Sequence, residues 1–341
     1  MQNSKSFTLC NEIIHPGESL SIALHLPQLY SCLPAYMPIK VFHGKKEGPT
    51  FLILSAINGD ELNGIEVINR LLGYKRIEKL FGTLIAIPVV NVFGLANKSR
   101  YLPGDVLLSE RFPGSAQGTH ADRLAHLFTS EIFNLADFVV ALRTGPPNYS
   151  IFPEISTDLN REECQQMAKV FQAPVTTQAK PKEGSLFAYA QQEKKNFITF
   201  TAGEANRFDS ASIKLGLKGI INLMTHLKMI PEKRKSPVKP TRHAIMSQAI
   251  WVRTAHSGIS TNRVKLGQQI SKGTVLSLIS DPFGNIEVQN LLSPTDGIVV
   301  GINNVPLVKE GESLFKIALF SEPDKAASHL ARWEFYVAEQ D

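Results

Sequence analysis

The hydrophobic residues of this chain fall into two alternating patterns. Short runs that are almost continuously apolar and rich in β-branched residues predict strands covered by helices on both faces. These predicted strands lie at 51–57, 83–91, 137–144 and 196–203. Upstream of them, short β-prone pieces alternate with Pro and Gly, which predicts edge strands leading into the same sheet.

Helical periodicity separates the predicted strands. In the segment NGIEVINRLLG, Ile65 and Ile68 share one face, and Gly73 marks a predicted helix end. A second helix is predicted to begin at Thr119, because Asp122 follows three residues later, as in a capping box. Strands that alternate with helices in this way predict an α/β fold with a mixed, mostly parallel sheet flanked by helices.

The pattern changes near residue 231. A basic, Pro-rich segment precedes short apolar strands separated by Gly, Pro, Asn and Asp turns, which predict a small β-barrel or sandwich. The predicted organisation is an α/β domain at 1–230, a linker at 231–244, a β-domain at 245–325 and a C-terminal tail at 326–341.

The predicted β-domain contains the segments KLGQQISKG and SPTDGIVVGI, which resemble the barrel-sandwich modules of biotinyl and lipoyl carriers. Those carriers present a modifiable lysine at a tight hairpin. The equivalent stretch here, IEVQNLLSP, contains no lysine. We therefore expect a structural appendage or a pocket lid, and no carried cofactor.

Composition narrows the functional classes. With 43% hydrophobic and 20% charged residues, the chain has the composition of a soluble globular protein. The net charge of +5 is not concentrated in a tract that would bind nucleic acid. There is no apolar run of about 18 residues and no signal-type amino terminus, so we expect no membrane association and a cytoplasmic location. The three cysteines show no C-x-x-C spacing, so no zinc site of that type is predicted.

Polar residues follow each predicted strand. In an open α/β sheet, ligands bind outside the carboxyl ends of the strands. We therefore expect a pocket of mixed charge there, with no histidine or cysteine at any strand end. The residues expected to line it are Asn58, Asp60, Glu61, Asn91, Arg100, Ser109, Glu110, Arg143, Thr144, Thr201 and Glu204.

Several long motifs occur in order along the chain: SAINGDELNGIEVINRLL, PVVNVFG, RYLP, RFPGSAQGTHADRLAHLF, ADFVVALRTG and ITFTAGEANRFD. Together they resemble the succinylglutamate desuccinylase/aspartoacylase family over roughly residues 40–320. The resemblance implies a zinc carboxypeptidase-like fold, a zinc ion, and cleavage of N-acyl groups from amino acids.

The zinc-binding motifs of that family are altered here. Family members read His-Gly-Asp-Glu where this chain has Asn58 followed by Gly, Asp and Glu61, so the glutamate is retained and the histidine is replaced. The third zinc ligand is the histidine of Asp-Leu-His-Thr-Gly. Its position holds Arg143, and Ala141 stands at the position of the aspartate. The resemblance thus leaves one of three zinc ligands in place.

The substrate clamp and the general base are altered as well. The family motif Asp-Leu-Asn-Arg is matched by Leu-Leu followed by Ser109 and Glu110, so an arginine is replaced by an acid. The general-base glutamate is matched by Thr201, so no catalytic residue is assigned. The residues left at substrate-binding positions are Asn91, Arg100, Ser109, Glu110 and Arg143.

These substitutions predict the loss of zinc and of hydrolysis. Catalytic zinc needs three protein ligands, and a guanidinium cannot be one because it does not deprotonate. Without a metal, no water is activated near neutral pH, and without the glutamate no base takes its proton. We expect no cofactor. We expect Arg143 to pair with Glu61 through two hydrogen bonds, so that its charge stands where the cation stood.

Three functions remain open at this point. The first is a carboxylate-binding or regulatory relative of the deacylases, with Arg100, Arg111 and Arg143 attracting the anion. The second is a divergent hydrolase in which Glu61, Asp60 and Glu204 hold Mg²⁺ or Mn²⁺ through oxygen ligands. The third is a structural subunit whose pocket is closed by side chains. The sequence does not decide the subunit number or whether the chain forms a homo-oligomer.

Overall fold

The computed structural model describes residues 3–29, 34–231, 244–284 and 287–320, together with Ala326 and Leu330. The helices of this part are α1 (Leu62–Leu72), α2 (Val92–Ala96), α3 (His120–Glu131), α4 (Glu162–Phe171), α5 (Leu186–Gln192) and α6 (Ser210–His226). Short 3₁₀ helices span Lys75–Lys79, Leu108–Glu110 and Phe133–Leu135. None of the helices in these ranges has both the length and the apolar character that a membrane crossing requires.

The strands before residue 244 are β1 (Phe7–Leu9), β2 (Glu12–Ile14), β3 (Ser19–His25), β4 (Tyr36–His43), β5 (Thr50–Ser55), β6 (Thr83–Ile87), β7 (Phe138–Gly145), β8 (Tyr149–Thr157), β9 (Val175–Gln178) and β10 (Asn196–Glu204). The later strands are β11 (Ala244–Arg253), β12 (Gly258–Asn262), β13 (Gln269–Ile270), β14 (Val275–Ser280), β15 (Gln289–Leu292), β16 (Gly297–Asn303), β17 (Leu307–Val308) and β18 (Ser313–Phe320).

One large sheet organises the described residues, with twelve strands in the order β13-β16-β18-β11-β9-β8-β10-β7-β5-β6-β4-β3. Parallel pairing joins β6, β5, β7 and β10, and again β8, β9 and β11. The remaining pairings in the sheet are antiparallel. The sheet is therefore mixed, as expected, but it is mostly parallel only near its centre, because antiparallel strands extend it on both sides.

The central strands are buried on both faces. Alternate residues of β5 belong to two different cores, because successive side chains of a strand point to opposite faces. Phe51 and Ile53 pack in the core that includes α1 and α6, whereas Leu52 and Leu54 pack in the core that includes α3. This explains why the four strands predicted from continuous apolar runs are present, two of them ending earlier than predicted.

The two predicted helix signals are both present. Thr119 accepts a hydrogen bond from the backbone N–H of Asp122, and the Asp122 carboxylate accepts one from the backbone N–H of Thr119, so the capping box is complete. Gly73 ends α1 with its own backbone N–H bonded to carbonyls of the last turn. These local signals therefore set where α3 begins and where α1 ends.

The C-terminal strands form two layers. A four-stranded sheet, β15-β14-β12-β17, faces strands of the large sheet across a core that includes Val252, Leu276 and Phe315. The large-sheet layer is hydrogen-bonded to the α/β part, since β11 pairs with β9 and β16 pairs with β8. Most of the predicted linker, 232–243, and nearly all of the tail lie outside the described residues, and the domain boundaries stay a prediction.

Candidate functional site

The carboxyl ends of β5, β6, β7 and β10 meet at one edge of the sheet, because these strands run parallel. Each strand delivers polar residues there: Asn58 and Glu61 after β5, Asn91 after β6, Arg143 in β7 and Thr201 in β10. These residues therefore lie at the edge where a ligand site is expected for an open α/β sheet.

The loop after β5 is held in an unusual conformation. Ala56, buried, has a φ of 49°, in the left-handed region that side chains other than glycine rarely adopt. Its carbonyl accepts a hydrogen bond from the backbone N–H of Asn91 at 2.8 Å. Gly59 lies so close to α2 that an added Cβ would be 2.1 Å from the carbonyl carbon of Gly94. The loops after β5 and β6 are thereby fixed against each other.

The predicted contact between Arg143 and Glu61 is present. The Nε of Arg143 donates to Oε1 of Glu61 at 2.5 Å. The other Glu61 oxygen accepts from the backbone N–H of Asn58 at 3.2 Å, and the Asn58 amide Nδ2 donates to Oε1 at 3.3 Å. The contact uses one hydrogen bond through Nε rather than the two that were expected, so the Nη groups of Arg143 do not engage this carboxylate.

Burial and charge act against each other at Glu61. Its side chain is fully buried, whereas the Arg143 side chain is 23% exposed. Burial raises the pKa of Glu61, while the charge and hydrogen bond of Arg143 and the Asn58 backbone N–H oppose the rise. The guanidinium is thus the main group that supports a charged carboxylate at this position.

A second ion pair lies beside the first. Nη1 of Arg100 is 3.6 Å from Oδ2 of Asp60, whose side chain is 1% exposed. This distance is too long for a direct hydrogen bond. Burial raises the pKa of Asp60, and the charge of Arg100 is the largest opposing influence. The two groups attract each other and leave their hydrogen-bonding capacity unused.

Unpartnered polar atoms concentrate at this edge of the sheet. Within the described ranges, nine buried side-chain nitrogen or oxygen atoms have no hydrogen-bond partner. Five of them lie here: Asn58 Oδ1, Asp60 Oδ1, Asp60 Oδ2, Asn91 Nδ2 and Arg100 Nη1. Buried polar groups without partners are costly, so a bound polar group that satisfied them would be strongly favoured.

The outer part of the site is exposed. Ser109 and Glu110 lie in the 3₁₀ helix Leu108–Glu110. Oε1 of Glu110 contacts Nζ of Lys182 at 2.5 Å, with side chains 42% and 69% exposed. No local sequence pattern pointed to Lys182, because it comes from a loop 72 residues further along the chain.

Thr201 lies between two charged neighbours in the sheet. It pairs with Arg143 on β7 and with Glu154 on β8. The carboxylate of Glu154 accepts two contacts from Nζ of Lys316, at 3.0 and 3.1 Å, which links β8 to β18. Neither Glu154 nor Lys316 was singled out from the sequence, since neither belongs to a motif.

Glu204 anchors the loop that follows β10. It forms an ion pair with Arg207 at 3.2 Å and accepts hydrogen bonds from the Asn148 backbone N–H at 3.1 Å and from Nδ2 of Asn304 at 2.7 Å. These contacts stabilise the loop that follows β10 and connect it to the turn after β16. Within the described residues, no group of three or more His, Cys, Asp or Glu side chains is arranged to hold a metal ion.

Comparison with known proteins agrees with the fold and the motifs. Residues 47–227, more than half of the chain, match the model of the succinylglutamate desuccinylase/aspartoacylase catalytic domain. The chain belongs to this family.

Among its relatives is the N-alpha-acetyl-L-2,4-diaminobutyric acid deacetylase of Halomonas elongata, which is 27% identical over 282 residues, or 80% of this chain and 82% of the relative. A succinylglutamate desuccinylase/aspartoacylase from Rhodobacter sphaeroides has a similar fold, with a TM-score of 0.79 and 22% identity over 89% of this chain and 96% of that one. The product-bound ectoine utilization protein EutE (DoeB) from Ruegeria pomeroyi also has a TM-score of 0.79, with 20% identity over 88% and 95% of the two chains.

Proposed function

We propose that this chain is a member of the deacylase family that no longer holds zinc or hydrolyses amides, and that it binds a small ligand bearing a carboxylate. The observation that carries this is the contact between Arg143 and the fully buried Glu61. A fixed positive charge beside the one retained ligand opposes a divalent cation by several kcal/mol, even at an effective dielectric constant of about 20.

The donor set does not fit zinc. Both oxygens of Glu61 are already used by Arg143 and Asn58, and an amide oxygen with one carboxylate is a weak set for this ion. Thr201 cannot act as the carboxylate base that the family uses.

The cations at the site favour an anionic ligand. In the described part of the chain, the Nη groups of Arg143 form no hydrogen bond, and its side chain is partly exposed. Nη1 of Arg100, 3.6 Å from the Asp60 carboxylate, also forms no hydrogen bond. Guanidinium groups bind carboxylates through paired N–H donors, so the free N–H groups of these two arginines can bind an anion. The amide of Asn91 is a further donor.

The alternative hydrolase, with Glu61, Asp60 and Glu204 as oxygen ligands, is supported at Asp60, whose two carboxylate oxygens have no hydrogen-bond partner. Both Glu61 oxygens, in contrast, already accept hydrogen bonds from Arg143 and Asn58. The Glu204 carboxylate is already occupied by Arg207, Asn148 and Asn304. The part of the chain that the structure describes also contains no group of three ligands that would hold a cation.

The decisive experiment combines metal analysis with ligand binding. Protein purified without chelator should contain far less than one zinc, manganese or magnesium ion per chain. It should bind N-alpha-acetyl-L-2,4-diaminobutyric acid, the compound in the name of one relative, without releasing acetate. Near-stoichiometric metal together with acetate release would disprove the proposal.

A variant in which the zinc ligands and the general base of the family are restored provides a second test of the role of Arg143. Asn58→His, Arg143→His and Thr201→Glu together return the zinc ligands and the base that the family resemblance assigns. We expect this variant to take up about one zinc per chain, whereas the matched variant Asn58→His with Thr201→Glu, which keeps Arg143, should not. Equal uptake by both would show that Arg143 does not exclude the metal.

A further inference from the structure

A cavity lies at the end of the sheet opposite the candidate site. Its volume is about 600 Å³, within the usual range for small-molecule sites. It is bordered by the end of β4, where His43 pairs with Thr83 at the start of β6, and by the 3₁₀ helix Lys75–Lys79. The candidate site lies where β5 and β6 end, so the two sites are separated by the length of these strands.

The floor of this cavity is apolar. Ile77 and Leu80 are buried members of the main core, and Phe42 packs against the same core. Phe81 is half-buried, and its backbone N–H is bonded to the carbonyl of Met229 at 2.8 Å, which fixes the position of the residue. A rigid floor with an aromatic ring suits a flat apolar group.

The rim of the cavity is basic. Lys45, Lys46 and Lys79 line it, and none of them forms an ion pair within the described ranges. Nζ of Lys46 lies 5.6 Å from the centre of the Phe81 ring, a cation–π distance. Lys45 lies across Gly17, where an added Cβ would be 2.7 Å from its Cε. All three lysines are exposed, and Lys45 and Lys46 lie against residues that line the cavity.

The acidic residues of the rim do not cancel this charge. Glu18 faces its own turn, because its Oε2 accepts a hydrogen bond from the backbone N–H of His15 at 2.8 Å. Glu78 adds one opposing charge on the 3₁₀ helix. Three lysines against these two acids leave a positive rim over an apolar floor.

We propose that this cavity is a second ligand site, which binds a small organic anion made of a flat apolar group and a phosphate or carboxylate. The apolar group rests on Phe81, Leu80 and Ile77, and the anionic group is held by Lys46, Lys79 and Lys45. The site does not depend on the proposed function of the opposite end, since the two share no residue.

Phenyl phosphate is a suitable probe, because it carries both parts of the expected ligand. Titration calorimetry of the full chain at low ionic strength should give a dissociation constant on the order of 0.1–1 mM, as expected for a ligand of this size. Each of Lys46→Ala and Lys79→Ala should weaken binding roughly threefold, the effect of losing one exposed charge contact. Lys309→Ala removes a lysine from a distant surface and should change nothing.

Two further measurements separate the apolar and ionic contributions. Phe81→Leu should lower the affinity for phenyl phosphate. It should leave unchanged the affinity for inorganic phosphate, which is expected to bind more weakly. The double variant that combines Lys46→Ala with Lys79→Ala should still bind N-alpha-acetyl-L-2,4-diaminobutyric acid like the unaltered chain. Loss of ligand binding at this cavity is thereby distinguishable from loss of binding at the candidate site. Absence of phenyl phosphate binding at about 10 mM, or equal binding by the double lysine variant, would overturn the assignment.

Discussion

Two ion pairs stand where the family resemblance places altered motifs, and they differ in burial. The inner pair joins Arg143 to Glu61, whose side chain is fully buried. The outer pair joins Lys182 to Glu110, with both side chains more than 40% exposed. Removing water from a charge makes it dependent on its partner, whereas solvent screens an exposed pair. Arg143 is therefore needed to compensate the buried charge of Glu61, whereas Lys182 stabilises the exposed Glu110 only weakly.

The largest expected effect comes from breaking the inner pair. Arg143→Ala would leave Glu61 buried without a cation and should lower the free energy of unfolding by about 3 kcal/mol. Urea denaturation at neutral pH measures it. Adding Glu61→Gln to this variant should recover most of the loss, since no charge then remains buried. A loss no larger than that of Lys182→Ala would remove the contrast between the two pairs.

The second effect extends the comparison to Glu154 and Lys316, whose side chains are 11% and 16% exposed. Lys316→Met should cost about 2 kcal/mol, because Glu154 would lose its cation in a largely buried setting. Lys316→Met combined with Glu154→Gln serves as the matched control and should be closer to the unaltered chain. If both variants unfold at the same urea concentration, the charge of Glu154 is solvated by other means.

The third effect concerns Asp122, a carboxylate supported mainly by hydrogen bonds, with the Arg111 guanidinium 3.9 Å away. The Thr119 hydroxyl holds the pKa of Asp122 below its ordinary value, with the Thr119 backbone N–H and Arg111 acting in the same direction. A carboxyl group whose pKa is lowered in the folded state stabilises the fold at pH values above its unfolded pKa of about 3.9. This stabilisation is lost as the pH falls through the pKa of the folded state. Asp122→Ala should therefore cost about 1 kcal/mol at neutral pH and less in acid, measured by urea denaturation at several pH values.

The smallest effect belongs to the outer pair. Lys182→Ala should change the free energy of unfolding by less than about 0.5 kcal/mol, and the change should shrink further in high salt. Thermal unfolding at low and high ionic strength is sufficient to detect it. A large, salt-independent loss would mean that Lys182 is needed for the arrangement of its loop, not only for contact with Glu110.

Much of the fold followed from hydrophobic pattern, because the central strands are buried on both faces and their sequences are correspondingly apolar. The strand pairing at the two edges of the large sheet could not be predicted from this pattern. Antiparallel strands flank the parallel centre, and the later strands are hydrogen-bonded to β8 and β9 instead of standing apart. Strand pairing between distant segments leaves little trace in either segment, so the hydrophobic pattern did not indicate that antiparallel strands would extend the sheet on both sides.

The sequence by itself determined which polar residues meet at the carboxyl ends of the strands, including the pairing of Arg143 with Glu61. Strand direction and the period of side chains fix these positions locally. Only the tertiary structure decided the partners supplied from afar: Lys182 for Glu110, Lys316 for Glu154 and Asn304 for Glu204, from 72, 162 and 100 residues away. Such contacts depend on how loops and strands converge in space, and no local pattern encodes that convergence.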